Sequence, residues 1–273
     1  MLTESISSAQ NPKIKEALSL GYRSDLRREK GLFLTEGRRE VQRCLSAGFT
    51  PRCLFRCPEL IDDEAFAPIE KLAEASPGCR VFEVPQALYA KLAYRGGSEG
   101  IIAETEWKER SLQDLDAVLS AKDTPPLIVV LEAVEKPGNL GAVLRSADAA
   151  GADAVIVCDF AGDLYNPNTI RASVGAVFTV PTVVCSSERA IKWLKDRGIR
   201  ILTAQLQDSE LYYDTDMTGA TAIVMGTEST GLSDLWRRAA DAHIRIPMLG
   251  IEDSLNVSVS AAILLYEALR QRK

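Results

Sequence analysis

A chain of 273 residues with 46% hydrophobic and 26% charged residues is long enough for two domains, each with its own core. Its longest apolar runs are strand-sized, which argues against a helical membrane span, and the opening Met-Leu-Thr-Glu-Ser-Ile lacks the basic and apolar regions of a secretory signal. The net charge of −6 disfavours a nucleic-acid binder only until its distribution is read: eleven Lys or Arg stand against five acids between Lys13 and Arg56. Phosphate binding follows the local patch more than the total, although a solvated helical face has the same composition. Six cysteines are scattered along the chain, and Cys53 with Cys57 and one distant histidine makes a poor metal site. They are read as reduced thiols in a cytoplasmic protein with no metal.

Ser8 to Leu20 is expected to be a helix started at Asn11-Pro12, with Ile14, Ala17 and Leu18 on one face. Arg23 to Gly31 is expected to be a basic, exposed connection. A short strand follows from Gly31 to Gly37, then a helix from Arg38 that Gly48 closes. Short strands and helices alternate through Pro51–Phe55, Glu64–Ala75, Arg80–Val84 and Pro85–Ala93, with a last strand from Gly100. This pattern predicts a small α/β sandwich over residues 1–107. The polar stretch 108–126, ending Thr-Pro-Pro, is expected to be a linker with a short helix from Leu112 to Leu119.

The second domain, to residue 273, opens with the continuous apolar run Leu127–Val134, as a parallel strand buried on both faces does. Pro137-Gly138 then turns the chain into a helix that Gly151 closes, with Asn139 expected as its N-cap. Leu140, Val143, Leu144 and Ala147 form the inward stripe, leaving Arg145 on an outer face. The next strand, Ala154–Val157, completes a βαβ unit. Further on, Asn166 to Val174 reads as a short helix, Val177–Val184 as a strand interrupted by Pro181, and Glu188–Arg197 as a helix. Strands are expected at Ile199–Ala204 and Thr221–Met225. The latter runs into Gly226-Thr-Glu-Ser-Thr-Gly-Leu-Ser, whose two glycines let backbone approach a ligand. The chain has no Gly-x-Gly-x-x-Gly dinucleotide loop.

The last stretch runs Ile244-Arg-Ile-Pro-Met-Leu-Gly-Ile-Glu-Asp-Ser-Leu-Asn-Val-Ser-Val-Ser. A short strand stops at Pro247, and Asp253 or Ser254 is expected to cap a long final helix. Ser254, Asn256, Ser258 and Ser260 are poor helix-interior residues that bond readily to nearby backbone. Polar groups massed at a strand end are also how a ligand site in an α/β sheet looks.

Taken in order, Pro-Gly-Asn-Leu-Gly-x-x-x-Arg at Pro137–Arg145, Gly-x-Glu-x-x-Gly-Leu-Ser at Gly226–Ser233 and Ile-Pro-Met…Ser-Leu-Asn-Val-Ser at Ile246–Ser258 resemble the three signatures of the SpoU (TrmH-like) branch of SPOUT RNA methyltransferases. Ser8–Pro12, Gly31–Gly37 and the arginine pair after it resemble the substrate-binding domain often found ahead of such catalytic domains, itself similar to a ribosomal protein that binds kinked RNA. The resemblance implies a parallel sheet with a deep trefoil knot, S-adenosyl-L-methionine as cofactor, a homodimer, and methylation of a ribose 2′-hydroxyl in RNA. Ribosomal RNA is preferred over transfer RNA. A binding protein on the same fold that has lost turnover is the competing class.

Carried over residue by residue, the resemblance makes Gly226, Ile246 and Leu255 backbone holders of the cofactor, with Thr203 and Met248 on the enclosing loops. Asn139, Arg145, Glu228, Ser254 and Asn256 match the catalytic cluster. A guanidinium stays protonated, so Arg145 is expected to grip the neighbouring phosphate and developing alkoxide charge, with the proton leaving through Glu228 or water. Arg23, Arg27, Arg28, Arg38 and Arg39 are expected to bind RNA. Thr227 and Ser229 replace the family's usual Asn and Gly around Glu228, and Lys136 replaces an acidic or amide residue.

Overall fold

In a computed structural model, residues 1–94, 99–227 and 230–273 are described. In chain order the elements are β1 (Leu2–Ser5), α1 (Pro12–Tyr22), α2 (Ser24–Lys30), β2 (Leu32–Glu36), α3 (Arg38–Ser46), β3 (Pro51–Arg56), α4 (Asp63–Ala73), β4 (Arg80–Glu83), α5 (Gln86–Leu92) and β5 (Ile101–Glu106). Then come α6 (Leu112–Ser120), β6 (Leu127–Glu132), α7 (Pro137–Ala150), β7 (Ala154–Cys158), α8 (Pro167–Ala172), α9 (Ala176–Thr179), β8 (Thr182–Cys185) and α10 (Ser187–Asp196). The chain closes with β9 (Arg200–Ala204), β10 (Glu210–Leu211), β11 (Thr221–Met225), α11 (Asp234–Ala239), β12 (Ala242–Arg245) and α12 (Val257–Gln271). Two compact units result: Met1–Lys108 with Asp163–Thr179, and Glu109–Gly162 with Val180–Lys273.

The first unit is a five-stranded mixed sheet in the order β1-β4-β3-β5-β2, covered on both faces by helices. Ile14, Ala17 and Leu20 of α1 and Leu88 and Leu92 of α5 pack on Phe55 and Phe82. On the other face Val41 and Leu45 of α3 and Phe66 and Ile69 of α4 pack on Leu54, Val81 and Ile101. Strand alternation separates these two sets, since neighbouring residues point to opposite faces.

The segment 163–179, which the chain order places inside the second domain, belongs to this first unit. Phe33 explains why. Its ring stacks on Tyr165 at 4.3 Å and on Phe178 at 5.8 Å between centroids, and Phe49 meets Phe178 edge-on at 5.2 Å. Stacked and edge-on aromatic pairs add about 0.5–1.5 kcal/mol each beyond the area they bury. Phe178 lies in α9, so the strand expected from Val177 is helical first and extended only in β8.

The connection expected between Arg23 and Gly31 is the helix α2, closed by Gly31 at φ 62°. That helix carries a correction for the RNA-binding set. Arg27 is 2% exposed; its Nε donates to Asp163 Oδ2 at 2.6 Å and its Nη1 to the Leu20 carbonyl at 2.5 Å. Its charge is spent inside the protein, because Leu26 and Arg27 are the residues that α2 turns towards the core. Arg23, Arg28, Arg38 and Arg39 are exposed.

The second unit holds a seven-stranded sheet, β10-β12-β9-β11-β6-β7-β8, in which every pairing is parallel. Ile128 and Val130 of β6 face Leu115, Trp193 and Trp236 from α6, α10 and α11. The alternate residues Val129 and Leu131 point to the opposite face, where α12 packs against α7 and β11. The central strand β6 and its neighbour β7 are almost wholly apolar and buried, as strands covered by helices on both faces are. No helix among the described residues is long and apolar enough to cross a membrane.

Candidate active site

Three adjacent strands, β12, β9 and β11, end beneath one cavity of about 370 Å³. It lies where open parallel sheets bind ligands, outside the carboxyl ends of the strands, and its size suits a small molecule. The ends of these strands and the segments after them line it: Ala204 at the end of β9 and 205–207 after it, Gly226, Thr227 and Thr230–Leu232 after β11, and Ile246, Met248 and Asp253–Leu255 after β12. Val257 and Ser260 of α12 close one side and Arg237 of α11 another.

Gly226 is required by packing of backbone on backbone. A Cβ there would stand 2.2 Å from the carbonyl carbon and oxygen of Gly231 and 2.5 Å from Leu232 N. The turn is tight because Thr227 and Gly231 exchange both backbone hydrogen bonds, at 3.2 and 3.1 Å, with Gly231 at φ 68°. Chain from 226 and from 231 therefore forms one thin wall of the cavity.

Of the five positions expected to hold the cofactor, Gly226, Ile246, Met248 and Leu255 line this cavity. Thr203 does not. It lies within β9, is fully buried, and its hydroxyl is 2.6 Å from His243 Nδ1 on the neighbouring β12. The side chain after it is turned the other way, as strand alternation demands, and Ala204 reaches the cavity.

Asn139 and Asn256 meet: Asn256 Nδ2 donates to Asn139 Oδ1 at 3.2 Å. The bond joins the first turn of α7 to the start of α12. Neither cap falls where expected. The first turn of α7 begins with Pro137 after Lys136, so Asn139 is inside the helix and does not cap it. α12 begins late, at Val257, with Asn256 as its cap. The Asn256 Oδ1 accepts from Ser258 N at 3.1 Å and from Ser258 Oγ at 2.6 Å, displacing Asp253 and Ser254 from that role. Ser254 instead lines the cavity, its Oγ donating to Asp253 Oδ1 at 3.1 Å. A smaller hollow of about 100 Å³ lies between Lys136, Asn139, Gly226 and Thr227.

Arg145 is exposed on α7. It is six positions on from Asn139, about 9 Å along the axis and on a different face. The helix thus brings the two asparagines together and leaves Arg145 apart from them. Glu228 lies outside the described residues. Ser233 precedes α11 as expected, but its side chain makes no capping bond; its N–H donates to buried Glu132 Oε2 at 2.8 Å.

Sequence reading missed Gln205 and Arg237, which both line the cavity. Each has one buried polar atom, Oε1 and Nε respectively, with no hydrogen-bond partner among the described residues. Position alone gave no signal, since Arg237 stands in an ordinary basic helix turn beside Arg238.

Comparison with known proteins decides the family. The model of the SpoU rRNA Methylase family matches residues 126–266. The chain belongs to the SpoU family. The model of the MRM3-like substrate binding domain matches residues 11–103. Among relatives, the 23S rRNA (guanosine-2′-O-)-methyltransferase RlmB of Ralstonia nicotianae is 37% identical over 203 residues, 74% of this chain and 81% of that one. The protein of the same name from Vibrio vulnificus is 41% identical over 182 residues, covering 66% and 73%. Among solved structures, an RNA 2′-O ribose methyltransferase is 39% identical with TM-score 0.81, covering 98% of this chain and 99% of that one. An AdoMet-bound rRNA methyltransferase from Sinorhizobium meliloti is 28% identical with TM-score 0.87, covering 98% of each chain.

Proposed function

We propose that this SpoU protein is an S-adenosylmethionine-dependent methyltransferase acting on a ribose 2′-hydroxyl of ribosomal RNA. The observation that carries the reading is the cavity over β12, β9 and β11 with the Asn139–Asn256 pair nearby. The cavity fits the cofactor. Ile246, Met248, Leu255 and Val257 offer apolar walls for an adenine ring, Gly226 and Gly231 offer backbone, and Gln205 and Arg237 offer one acceptor and one donor that have no partner among the described residues. Bound there, S-adenosylmethionine supplies an electrophilic methyl group.

The residues then divide the remaining work. The Asn139–Asn256 bond fixes the start of α12 against α7 and so holds Ser254 at the cavity edge. Arg145 binds the phosphate next to the target ribose and stabilises charge growing on the 2′-oxygen. Glu228 or water takes the proton. Mapping of 2′-O-methyl sites in total RNA, with and without the gene, tests the assignment. A missing methyl in ribosomal RNA supports it; an unchanged ribosomal map with a missing transfer-RNA methyl moves the substrate, and no change in either favours the binding protein without turnover.

A homodimer belongs to the same proposal. Leu249 and Ile251, in the stretch before α12, are 99% and 103% exposed, and Val259 and Tyr266 of α12 are 46% and 50% exposed. Positions 259 and 266 share a helix face, so an apolar strip runs from the cavity rim along α12. Light scattering should give twice the mass of one chain. A monomer at micromolar concentration with cofactor present would remove the dimer.

RNA affinity is assigned to Arg23, Arg28, Arg38 and Arg39. Two of these already sit in exposed ion pairs, Arg23–Asp25 at 2.6 Å and Arg38–Glu99 at 3.6 Å. Such pairs are worth little and exchange readily for phosphates. Each arginine changed to alanine should lower the slope of log affinity against log salt by about 0.7–0.9. Arg27→Ala should instead leave that slope alone and destabilise the first unit, because Asp163 would be left buried without its partner. Titration of a ribosomal RNA fragment at several salt concentrations, with thermal melting, separates the two. Unchanged slopes for all four exposed arginines would move the RNA surface elsewhere.

A further inference from the structure

Among the described residues, the ionised side chains lining the main cavity are Arg237, Arg245 and Asp253. The three are not equally available. Asp253 accepts from Ser254 Oγ, and Arg245 Nη1 donates to Ser209 Oγ at 3.4 Å. Arg237 is different: its Nε is buried with no partner among the described residues. A buried guanidinium N–H can only donate, so leaving it empty carries a desolvation cost that a ligand acceptor would offset.

Arg237 is also held in place. It lies in the first turns of α11, whose Trp236 is fully buried with its indole Nε1 donating to Ser187 Oγ at 2.8 Å. The anchoring of Trp236 fixes the rotation of this helix, and with it the direction of the next side chain. Beside Arg237 is Gly231: a Cβ built there would come within 4.0 Å of Arg237 Nη2. The guanidinium thus stands next to the thin wall formed by 226 and 231.

We propose that Arg237 grips the α-carboxylate of the cofactor's amino-acid end. The inference rests on the cofactor reading above and adds to it the residue that reads the methionine moiety. Of the groups in S-adenosylmethionine, the carboxylate is the one anion, and a planar guanidinium takes a carboxylate through two parallel donors. The adenine end needs no cation and has the apolar walls. Arg237 is a positioning residue: it does not touch the transferred methyl group but sets how far the amino-acid end reaches along the cavity.

The test is calorimetric and needs no turnover. S-adenosylhomocysteine carries the carboxylate; 5′-methylthioadenosine keeps the adenosine and sulfur but lacks the amino-acid end. Arg237→Met should weaken S-adenosylhomocysteine by roughly 10- to 100-fold, as loss of a charged hydrogen bond does, and leave 5′-methylthioadenosine unchanged. Arg237→Lys, which keeps the charge without the fork, should fall between, and it serves if the methionine variant melts early. Arg245→Ala is the comparator and should not distinguish the two ligands. Equal weakening of both ligands by both Arg237 variants would make Arg237 a wall of the pocket and overturn the proposal, as would unchanged affinity for S-adenosylhomocysteine. If the unaltered protein bound neither ligand, the cofactor reading itself would fall and this proposal with it.

Discussion

Arg145→Ala is expected to lower methyl transfer by about 10²–10³-fold, the loss typical when a donor aimed at developing negative charge is removed. The same change should shift stability by no more than about 0.5 kcal/mol. The basis is its place on α7. Leu140, Val143, Leu144 and Ala147 are fully buried, while Arg145 is exposed between them on the turn of the helix. Nothing in the folding of α7 calls for a cation there. A group that acts on the transition state and not on the bound cofactor leaves cofactor affinity alone while turnover falls. Arg145→Lys should recover only part of the rate, because an ammonium is a point charge without the planar fork. Three readings decide the matter: melting temperature, S-adenosylhomocysteine affinity, and methyl incorporation into ribosomal RNA from a strain lacking the gene. Near-normal incorporation would remove Arg145 from the mechanism, and a collapse of the melting temperature would make it structural.

Gly226→Ala should abolish measurable cofactor binding. The added Cβ would fall 2.2 Å from two backbone atoms of Gly231, and no flexible side chain is present to yield. Relief requires the 231–232 chain to move away by more than an ångström, since ordinary carbon contacts need roughly 3.5 Å. That movement breaks the paired Thr227–Gly231 hydrogen bonds and shifts the wall of the cavity. It also pulls on Leu232, which is buried in the core beneath α11. Overpacking of this kind commonly costs about 1–3 kcal/mol, so the protein should still fold while its melting temperature drops. Calorimetry with S-adenosylhomocysteine checks the prediction, and affinity within a few-fold of the unaltered protein would show that the 226–231 wall takes no part in binding.

Much of this architecture was written in local patterns. Leu127–Leu131 and Ala154–Cys158 are apolar without interruption, and a strand buried on both faces is the simplest structure that uses such runs. Gly151 at φ 72° closes α7 as its sequence position predicts. The errors have physical causes of another kind. Asn139, Asp253 and Ser254 are all competent caps by residue type; Pro137 took the first helical position in one case and Asn256 captured Ser258 in the other. A cap is a local competition, and composition names the contestants without naming the winner. Arg27 looked like its exposed neighbours because its partner, Asp163, lies far along the chain. Thr203 was one residue out of register, and in a strand one residue reverses the face. Gly226, Ile246, Met248 and Leu255, which the motifs single out as cofactor holders, line the cavity, while Gln205 and Arg237 became visible only in three dimensions, through buried atoms with no partner among the described residues.

The aromatic cluster of Phe33, Phe49, Tyr165 and Phe178 has a bearing on synthesis. A chain leaves the ribosome at about 5–20 residues per second, and N-terminal domains usually fold as soon as they are out. Here the first unit cannot complete itself on that schedule. Its sheet and five of its helices are available by residue 108, yet Phe33 faces an empty place until Tyr165 and Phe178 emerge. The buried guanidinium of Arg27 likewise waits for Asp163. For that interval the nascent first unit is a partly built sandwich with an apolar flank and an unneutralised charge, a natural client for a chaperone. A recombinant fragment ending at 108 would be left permanently at that stage, so a stable N-terminal fragment has to be made by carrying 163–179 along.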